Sequence, residues 1–349
     1  MTIPPTHRVE RDEPAHPFAG QLVVGGGREG GRATSIAALA SGGIRNVLVG
    51  IDGSQGSLTA LRWAAWFAAA THCRLHVVNV WQRGEPLGSL LGDDATQASP
   101  VTSDAPVTPD IEATTQLHLD ALVRRELPQA SIAPESRVLS GTVVNELLKE
   151  AARIDSSLLV VGARGAGGAL RHLLGSVSQQ LTERPPRAVA IVPDQQVDMP
   201  APESPWTMVV GVDGSAGASR AVRWAASMAQ PGSTEIVAVH AIELPVADPS
   251  HDERASLAAE VQQRLDEEWC APLRLRDVRH RTVLHEGAPL DVIRGVSTAE
   301  SPACVVLGSR GLGALSQRLL GSVTYEVVHQ SEITTVIVPA PRDCVTWQC

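Results

Sequence analysis

The sequence predicts an α/β protein built from two tandem, doubly wound, Rossmann-like domains, each with a parallel sheet. Three observations support this fold class. The chain has 349 residues, a length that suits two domains better than one or three. Blocks of the first half recur in the second half, as in a duplicated domain. Short apolar runs alternate with segments of helical periodicity, a pattern typical of parallel strands covered by helices on both faces.

The duplication shows in two matched blocks. The stretch NVLVGIDGSQGSLTALRWAAWFAA recurs 161 positions later as TMVVGVDGSAGASRAVRWAASMA, which pairs Asp52 with Asp213. The stretch LLVVGARGAGGALRHLLGSVSQQL recurs 146 positions later as CVVLGSRGLGALSQRLLGSVTYEV. The first copy is therefore 15 residues longer than the second. We expect the excess in a surface loop over residues 84–110, which is rich in Gly, Ser, Thr, Asp and Pro.

Each predicted element follows from its local pattern. Runs rich in Val, Leu and Ile predict five strands in the first copy, at residues 47–52, 74–80, 136–141, 158–162 and 188–193. Segments of helical periodicity between them predict helices at 57–70, 112–127, 143–154 and 176–183. The second copy repeats the strands at 208–213, 235–241, 280–287, 303–309 and 334–340.

The repeat also predicts the domain boundaries. The first copy spans residues 44–194 and the second copy spans residues 207–341. Residues 195–206 join them and are rich in proline and acidic residues, as expected of a linker. Residues 1–43 match nothing in the second half, so we expect a flexible N-terminal extension. Residues 342–349 are expected to form a C-terminal tail.

Charge and composition exclude two classes of function. The net charge is −9 and aromatic residues make up 3% of the chain, so the sequence lacks the basic and aromatic surfaces that bind nucleic acids. Lys149 is the single lysine, and it does not follow a glycine-rich turn. A Walker A loop, which needs a lysine at the terminal phosphates, is therefore excluded.

The remaining composition predicts a cytoplasmic protein with no membrane partner. No stretch of about 20 apolar residues is present, and the N-terminus lacks the basic-then-apolar order of a signal peptide. The five cysteines form no CxxC pair and are odd in number, so neither a zinc ribbon nor a disulfide framework is indicated.

Both copies contain one glycine pattern at identical spacing. It is Gly-x-x-Gly, nine residues, then Gly-Ser, formed by Gly162, Gly165, Gly175 and Ser176 in the first copy and by Gly308, Gly311, Gly321 and Ser322 in the second. The first glycine ends an apolar strand and lets a ligand approach the backbone. The Gly-Ser pair opens a helix, whose unpaired N–H groups and dipole favour phosphate.

An aspartate closes the first strand of each copy. Asp52 and Asp213 stand where a carboxylate can accept hydrogen bonds from ribose hydroxyls, at the carboxyl edge of an α/β sheet. Phosphate donors and a ribose acceptor together imply a nucleotide.

These residues resemble the universal stress protein family in its tandem two-domain form, because the glycine spacing matches the ATP-binding signature of that family. The resemblance implies ATP as the ligand, with Mg²⁺ able to accompany the phosphates. It places the glycines and serines at the phosphates, the aspartates at the ribose, and the backbone of Val80 and Ala241 at adenine. Val177 and Val323 would offer further backbone N–H groups to phosphate.

The resemblance also implies an assembly. Family members often pair through the last strand of each domain, which predicts a homodimer or a pairing of the two domains within the chain. The double proline at Pro185 and Pro186 precedes the last strand of the first copy and could reshape that edge.

Simpler interpretations exist for several of these residues. The glycine loop could be a tight turn for packing, and the aspartates could be turn or helix N-cap residues. Arg164 and Arg310, within the glycine pattern, could approach phosphate or be solvated, and the paired Trp63 and Trp224 are expected in the core.

A second glycine pattern lies upstream of both copies. Gly25-x-Gly27-x-x-Gly30 precedes Asp52 by about one Rossmann spacing. It is discounted because Asp213 has no such glycines before it.

The sequence therefore predicts an ATP-binding tandem universal stress protein that regulates a stress response or dormancy through an unidentified protein partner. Neither copy shows a paired general base or a carboxylate cluster suited to two metals, so no catalytic residue is assigned. Two alternatives stay open. The chain could be a protein-interaction module with a structural or vacant nucleotide site, or a slow ATP hydrolase.

Overall fold

The computed structural model describes residues 23–25, 45–81, 109–128, 131–165, 174–183, 185–195, 199–243, 250–311, 320–330 and 332–339. Within these ranges the strands are β1 (Val23–Gly25), β2 (Asn46–Gly50), β3 (Arg74–Trp81), β4 (Glu135–Ser140), β5 (Ser156–Gly162), β6 (Val189–Val192), β7 (Trp206–Gly211), β8 (Thr234–Ile242), β9 (His280–Glu286), β10 (Cys304–Gly308) and β11 (Thr335–Val338). The predicted loop over residues 84–110 lies almost wholly outside the described residues.

The helices alternate with these strands. They are α1 (Gln55–Ala70), α2 (Pro109–Glu126), α3 (Val143–Arg153), α4 (Ser176–Glu183), α5 (Ala216–Met228), α6 (His251–Arg264), α7 (Ala271–Leu275), α8 (Pro289–Glu300) and α9 (Ser322–Gln330), with a π-helical turn at Leu265–Trp269. Helix α1 begins two residues before the predicted start, because the Ser54 side chain caps it by accepting from Ser57 N–H. Helix α2 begins at a proline, a residue favoured in the first helical turn.

Each copy forms a parallel five-stranded sheet. The order is β4-β3-β2-β5-β6 in the first copy and β9-β8-β7-β10-β11 in the second. Strand order reverses between β2 and β5, and again between β7 and β10. Both copies therefore have the doubly wound arrangement that the sequence predicted, with a ligand-binding crevice expected at each reversal.

The two sheets join into one. Strand β6 pairs antiparallel with β11, with Val189 opposite Ile337 and Ile191 opposite Thr335. The double proline before β6 does not prevent this pairing, because Pro185 and Pro186 precede the paired residues. The copies are thus paired within one chain, and the described strands make one eleven-stranded sheet.

One face of this sheet carries a core shared by both copies. Helices α1 and α5 contribute Trp63, Phe67 and Trp224, whose rings stack with centroids 4.9 and 6.2 Å apart. Trp206 of β7 meets Phe67 edge-on at 6.0 Å. Trp63 is buried in this core as predicted, whereas Trp224 is partly buried and packs against it, and their packing spans the boundary between the copies.

Three residues of the N-terminal extension form a strand that the sequence analysis did not predict. Strand β1 pairs antiparallel with β9, with Val24 opposite Val283, and covers the outer edge of the second copy. Most of the extension lies outside the described residues, so its flexibility stays a prediction. Among the helices that the structure describes, none combines the length and apolarity needed to cross a membrane.

Candidate functional site

A cavity of about 300 Å³ opens at the carboxyl edge of the second copy, where the strand order reverses between β7 and β10. It is lined by all seven residues that the sequence predicted for this copy: Asp213, Ala241, Gly308, Gly311, Gly321, Ser322 and Val323. Residues far apart in the chain meet here because parallel strands place their carboxyl ends on the same edge.

Two glycines of the pattern make room for close approaches. A Cβ on Gly308 would stand 2.5 Å from the carbonyl carbon of Gly217, so the loop after β10 can lie against the first turn of α5 only with glycine here. A Cβ on Gly311 would collide with Oδ2 of Asp213. The glycine pattern thus brings the loop, the start of α5 and the Asp213 carboxylate together.

Helix α9 begins at the cavity. The N–H of Gly321 donates to Ser309 O at 2.8 Å, and its carbonyl accepts from Tyr325 N–H at 2.9 Å, so Gly321 holds the helix start against the loop. The Thr324 hydroxyl adds a bond to Gly308 O at 2.8 Å. The N–H groups of Ser322 and Val323 follow, in a turn where N–H groups have no partner within the helix. This end of a helix attracts anions.

Asp213 has two roles in this geometry. Its Oδ1 accepts from Ser215 N–H at 2.9 Å and makes the turn that leads into α5, as the simpler interpretation proposed. Its Oδ2 lies on the side of Gly311 and the glycine loop. The turn therefore orients the carboxylate toward the cavity that Asp213 lines.

The first copy repeats the arrangement. Asp52 Oδ1 accepts from Ser54 N–H at 2.9 Å, and a Cβ on Gly165 would stand 2.5 Å from Asp52 Oδ2. A Cβ on Gly162 would stand 2.8 Å from the carbonyl carbon of Gly56. The N–H of Gly175 donates to Ala163 O at 2.8 Å, and Ser176 and Val177 follow at the start of α4. The duplicated sequence has thus kept the local geometry.

The predicted adenine positions lie at the ends of equivalent strands. Val80 is buried near the end of β3, and its side chain packs in the core between the sheet and α3. Ala241 is near the end of β8 and lines the cavity. The structure places both beside the strand that carries the aspartate.

His240 is a cavity residue that the sequence analysis missed. Its Nδ1 lies 2.6 Å from Val212 O, and since a carbonyl oxygen only accepts, this nitrogen carries the proton. The ring packs edge-on against Trp269 at 5.0 Å. Burial lowers the pKa of His240, which the bond to Val212 O and the nearby Asp213 partly offset. The repeat contained a sequence signal for this position, because the equivalent residue of the first copy, Asn79, is also polar. In the structure Asn79 donates to Ile51 O.

The two arginines of the glycine pattern, Arg164 and Arg310, lie in different environments. Arg164 Nε lies 2.6 Å from Asp194 Oδ2 in an ion pair, so this arginine is not the solvated residue of the simpler interpretation. Arg310 lines the cavity of the second copy. Asp194 is not among the residues predicted from the sequence.

Two other expectations concern metals and the upstream glycines. In the part of the chain that the structure describes, no three His, Cys, Asp or Glu side chains are grouped to hold a metal ion. Gly25 lies in β1, at the opposite edge of the sheet from the first copy. Gly27 and Gly30 lie outside the described residues, and β1 pairs with β9 and is not adjacent to β2, the strand before Asp52.

Comparisons with known proteins agree with the duplication. The model of the universal stress protein family matches residues 43–193 and again residues 207–339. A universal stress protein of Mycobacterium tuberculosis strain CDC 1551 is 30% identical over 305 residues, which cover 84% of this chain and 95% of the relative. Another, from strain H37Rv, is 27% identical over 311 residues, covering 85% of this chain and 96% of the relative.

Solved structures support the same architecture. The crystal structure of a universal stress protein from Archaeoglobus fulgidus is 19% identical, with a TM-score of 0.58, and the match covers 85% of this chain and 98% of that one. At this identity the likeness concerns the fold alone.

Proposed function

This chain belongs to the universal stress protein family, and on that premise we propose that it binds ATP at the carboxyl edge of its sheet and acts as a nucleotide-dependent regulator of a stress response or dormancy. The observation that carries the proposal is the cavity of the second copy. It brings together a carboxylate, a glycine loop and the start of α9 in one concave site.

The parts of this site suit the parts of a nucleotide. The N–H groups of Ser322 and Val323 at the start of α9 would donate to the phosphates, with the helix dipole in support. Oδ2 of Asp213, which lies on the side of the glycine loop, would accept from ribose hydroxyls. The backbone of Ala241 would contact adenine. A cavity of about 300 Å³ is at the lower end of ligand pockets and suits a base and ribose with phosphates along the loop.

Local donors must carry the binding of the phosphates. The chain has a net charge of −9, so its overall field does not attract a polyanion. A glycine loop and a helix start avoid this problem, because backbone N–H groups offer positive dipoles without side-chain charge. The proposed ligand therefore depends on backbone geometry more than on basic residues.

Isothermal titration calorimetry with ATP tests the proposal. Saturable heat and a rise of the melting midpoint in ATP are expected for the unmodified chain. Asp213→Asn should weaken binding to the second copy by roughly tenfold, because a hydrogen bond to a charged acceptor is worth more than one to an amide. The asparagine oxygen can still accept from Ser215 N–H, so the turn into α5 is kept.

A matched control uses a residue outside the site. Leu275 on α7 is 86% exposed, so Leu275→Ala should bind ATP like the unmodified chain. If intact chain at millimolar ATP gives neither heat nor thermal protection, the ATP proposal is wrong. The interaction-module alternative would then be favoured.

A further inference from the structure

A side-chain amide covers the outer edge of the first copy's sheet. Strand β4 ends the described sheet on this side, and Ser136 and Val138 have backbone groups that face away from β3. Gln116 of α2 bonds to both residues: its Nε2 donates to Ser136 O at 3.2 Å, and its Oε1 accepts from Val138 N–H at 3.0 Å. One glutamine thus takes the place of a neighbouring strand at an edge that is otherwise open to pairing.

The second copy has a glutamine at the equivalent position, but one of its atoms is unused. The offset of 146 pairs the three residues of this cap with Gln262 of α6 and with Thr282 and Leu284 of β9. Gln262 Nε2 lies near the edge, since it donates to the Thr282 hydroxyl at 2.9 Å. Its Oε1 is buried and has no hydrogen-bond partner in the part of the chain that the structure describes. The acceptor that would cap Leu284 is therefore not bonded to it.

The outward-facing groups of β9 follow from its bonds to β8. The N–H of Ile236 in β8 donates at 3.0 Å to the carbonyl of Arg279, which immediately precedes β9, so this carbonyl faces β8. Backbone groups of successive residues in a strand point to opposite sides. Thr282 and Leu284 follow Arg279 by three and five positions, so their backbone groups face away from β8. Their N–H and C=O groups are the ones available to a further strand.

Strand β1 takes the place of the glutamine cap. Val23 lies opposite Leu284, and Gly25 lies opposite Thr282. Because both residues of β9 face outward, these are the pairs that exchange backbone hydrogen bonds, whereas Val24 between them has its N–H on the free side. The edge atoms that a glutamine serves in the first copy are thus served by a strand in the second.

We propose that the outer edge of β9 is a strand-docking surface for residues 23–25 of the same chain, and that Gln262 caps this edge whenever the strand leaves. The Oε1 atom of Gln262 carries the inference. A buried acceptor without a donor is costly, and the equivalent oxygen of Gln116 shows the bond that it can make. Strand and cap would compete for Leu284 N–H, so the edge stays covered in both arrangements. The inference concerns the outer edge of the sheet and does not depend on nucleotide binding.

The length of the chain allows the docked strand to come from the same molecule. Strands β1 and β2 are eight positions apart in the sheet order, which is roughly 38 Å at about 4.8 Å per strand. The 21 residue steps from Gly25 to Asn46 span up to roughly 70 Å when extended, so the connection is long enough. A strand tethered in this way docks at a higher effective concentration than one from a second molecule. The chain's own segment is therefore the expected occupant.

Proline substitutions separate the paired side of β1 from its free side. Val23→Pro removes an N–H that faces Leu284 O, so it should release the strand. Val24→Pro removes an N–H on the free side, where an edge strand tolerates proline, and is the matched control. Gly25→Pro removes the N–H that faces Thr282 O and repeats the test if Val23→Pro does not fold. Thermal melts establish that each full-length variant is folded.

Amide hydrogen exchange, resolved by NMR for each residue, detects the strand and the cap separately. In the Val23→Pro chain, Gly25 N–H should exchange on the order of tenfold faster than in the unmodified chain, because its bond to β9 is lost. Leu284 N–H should stay protected, since Gln262 Oε1 now accepts from it. Adding Gln262→Met to Val23→Pro should make Leu284 N–H exchange on the order of tenfold faster. The Thr282 hydroxyl keeps its bond to Asp266, at 2.6 Å, in this double variant.

Two single variants complete the comparison. Gln262→Met alone should leave Leu284 N–H protected, because β1 still covers it. Gln116→Met in the first copy should raise exchange of Val138 N–H on the order of tenfold without any proline, since the glutamine is the cap that the structure shows at this edge. Leu284 should be unaffected by this change.

Three results would overturn the proposal. Fast exchange of Leu284 N–H in the Val23→Pro chain would show that Gln262 does not replace the strand. Unchanged exchange of Gly25 N–H in that chain would show that β1 is not held by the assigned bonds. Sedimentation of the unmodified chain should give the mass of one molecule, and a dimer that Val23→Pro abolishes would show that the strand comes from a second copy.

Discussion

The indole nitrogen of Trp63 donates to the carbonyl oxygen of Ala303 at 3.1 Å, from the first copy into the second. The indole nitrogen of Trp224 donates to the carbonyl oxygen of Ser157 at 3.1 Å, from the second copy into the first. Trp63 pairs with Trp224 and Ser157 with Ala303 in the repeat, so the two bonds are related by an approximate two-fold axis. The axis also relates β6 to β11, which pair antiparallel. The copies are therefore joined as a symmetric dimer would be, within one chain.

This joint predicts that the two copies unfold together. Trp63→Phe removes the indole N–H and leaves the buried carbonyl of Ala303 without this donor. We expect a loss of about 1–3 kcal/mol in the free energy of unfolding, in a single transition. Urea denaturation followed by circular dichroism measures both. Leu275→Ala, on an exposed side chain, is the control and should change little. Two separate transitions in the unmodified chain would contradict this account of the joint.

Two glycines of the second copy should respond differently to the same substitution. Gly308→Ala places a Cβ 2.5 Å from a backbone atom of Gly217, so the loop or α5 must move, and we expect a loss of several kcal/mol of stability. Gly321→Ala meets its nearest neighbours at 3.5 Å, an ordinary contact, and should fold with a nearly unchanged melting midpoint. Thermal melts of the two variants test this contrast. Equal melting midpoints would show that the close approach of Gly308 to Gly217 does not contribute to stability.

Burial of His240 predicts a loss of stability in acid. Its pKa is lowered by burial, so the unfolded chain binds the proton more readily than the folded chain. The destabilisation appears as the pH falls through the unfolded pKa of about 6.5 and is absent above it. The pKa of buried His76 is lowered in the same direction, so it contributes in parallel.

His240→Asn isolates the contribution of this histidine. Asparagine is the residue at the equivalent position, where Asn79 donates to Ile51 O at 2.9 Å, so the replacement should keep the bond to Val212 O. The variant should lose less stability than the unmodified chain between pH 7.5 and pH 5.5, a range on either side of the histidine pKa. Denaturation at both pH values measures the loss of stability in each chain. Equal losses in the variant and the unmodified chain would show that His240 is not the cause of the acid destabilisation.

Burial also predicts that two cysteines resist alkylation. It raises the pKa of Cys270 and of Cys304 to about 12, and neither side chain reaches solvent. The thiolate is the reactive form, so iodoacetamide at pH 8 should modify these residues slowly in the folded chain and readily in urea. Peptide mass spectrometry resolves the individual sites. Rapid labelling of Cys304 without denaturant would show that this core strand opens.

The candidate site was predictable because it is local and repeated. The glycine spacing and the aspartate after the first strand occur twice, and among the described residues both copies show the same glycine contacts and the same helix start. His240, Trp269 and Asp194 escaped prediction because they belong to one copy only. Their partners Val212, Gly214 and Arg164 are separated from them by 28 to 55 positions, and only the folded chain brings them together.

Patterns along the chain were enough to predict the two doubly wound copies, their strands and the glycine pattern, because periodicity, turn residues and duplication are visible in the order of the residues. The folded chain was needed to show how the copies join, that Val23–Gly25 covers β9, and that Arg164 pairs with Asp194. These features arise from contacts between distant segments, and a contact of that kind is set by the packing of the whole sheet. Local patterns show which residues repeat, whereas the contacts between distant charges and strand edges depend on the fold.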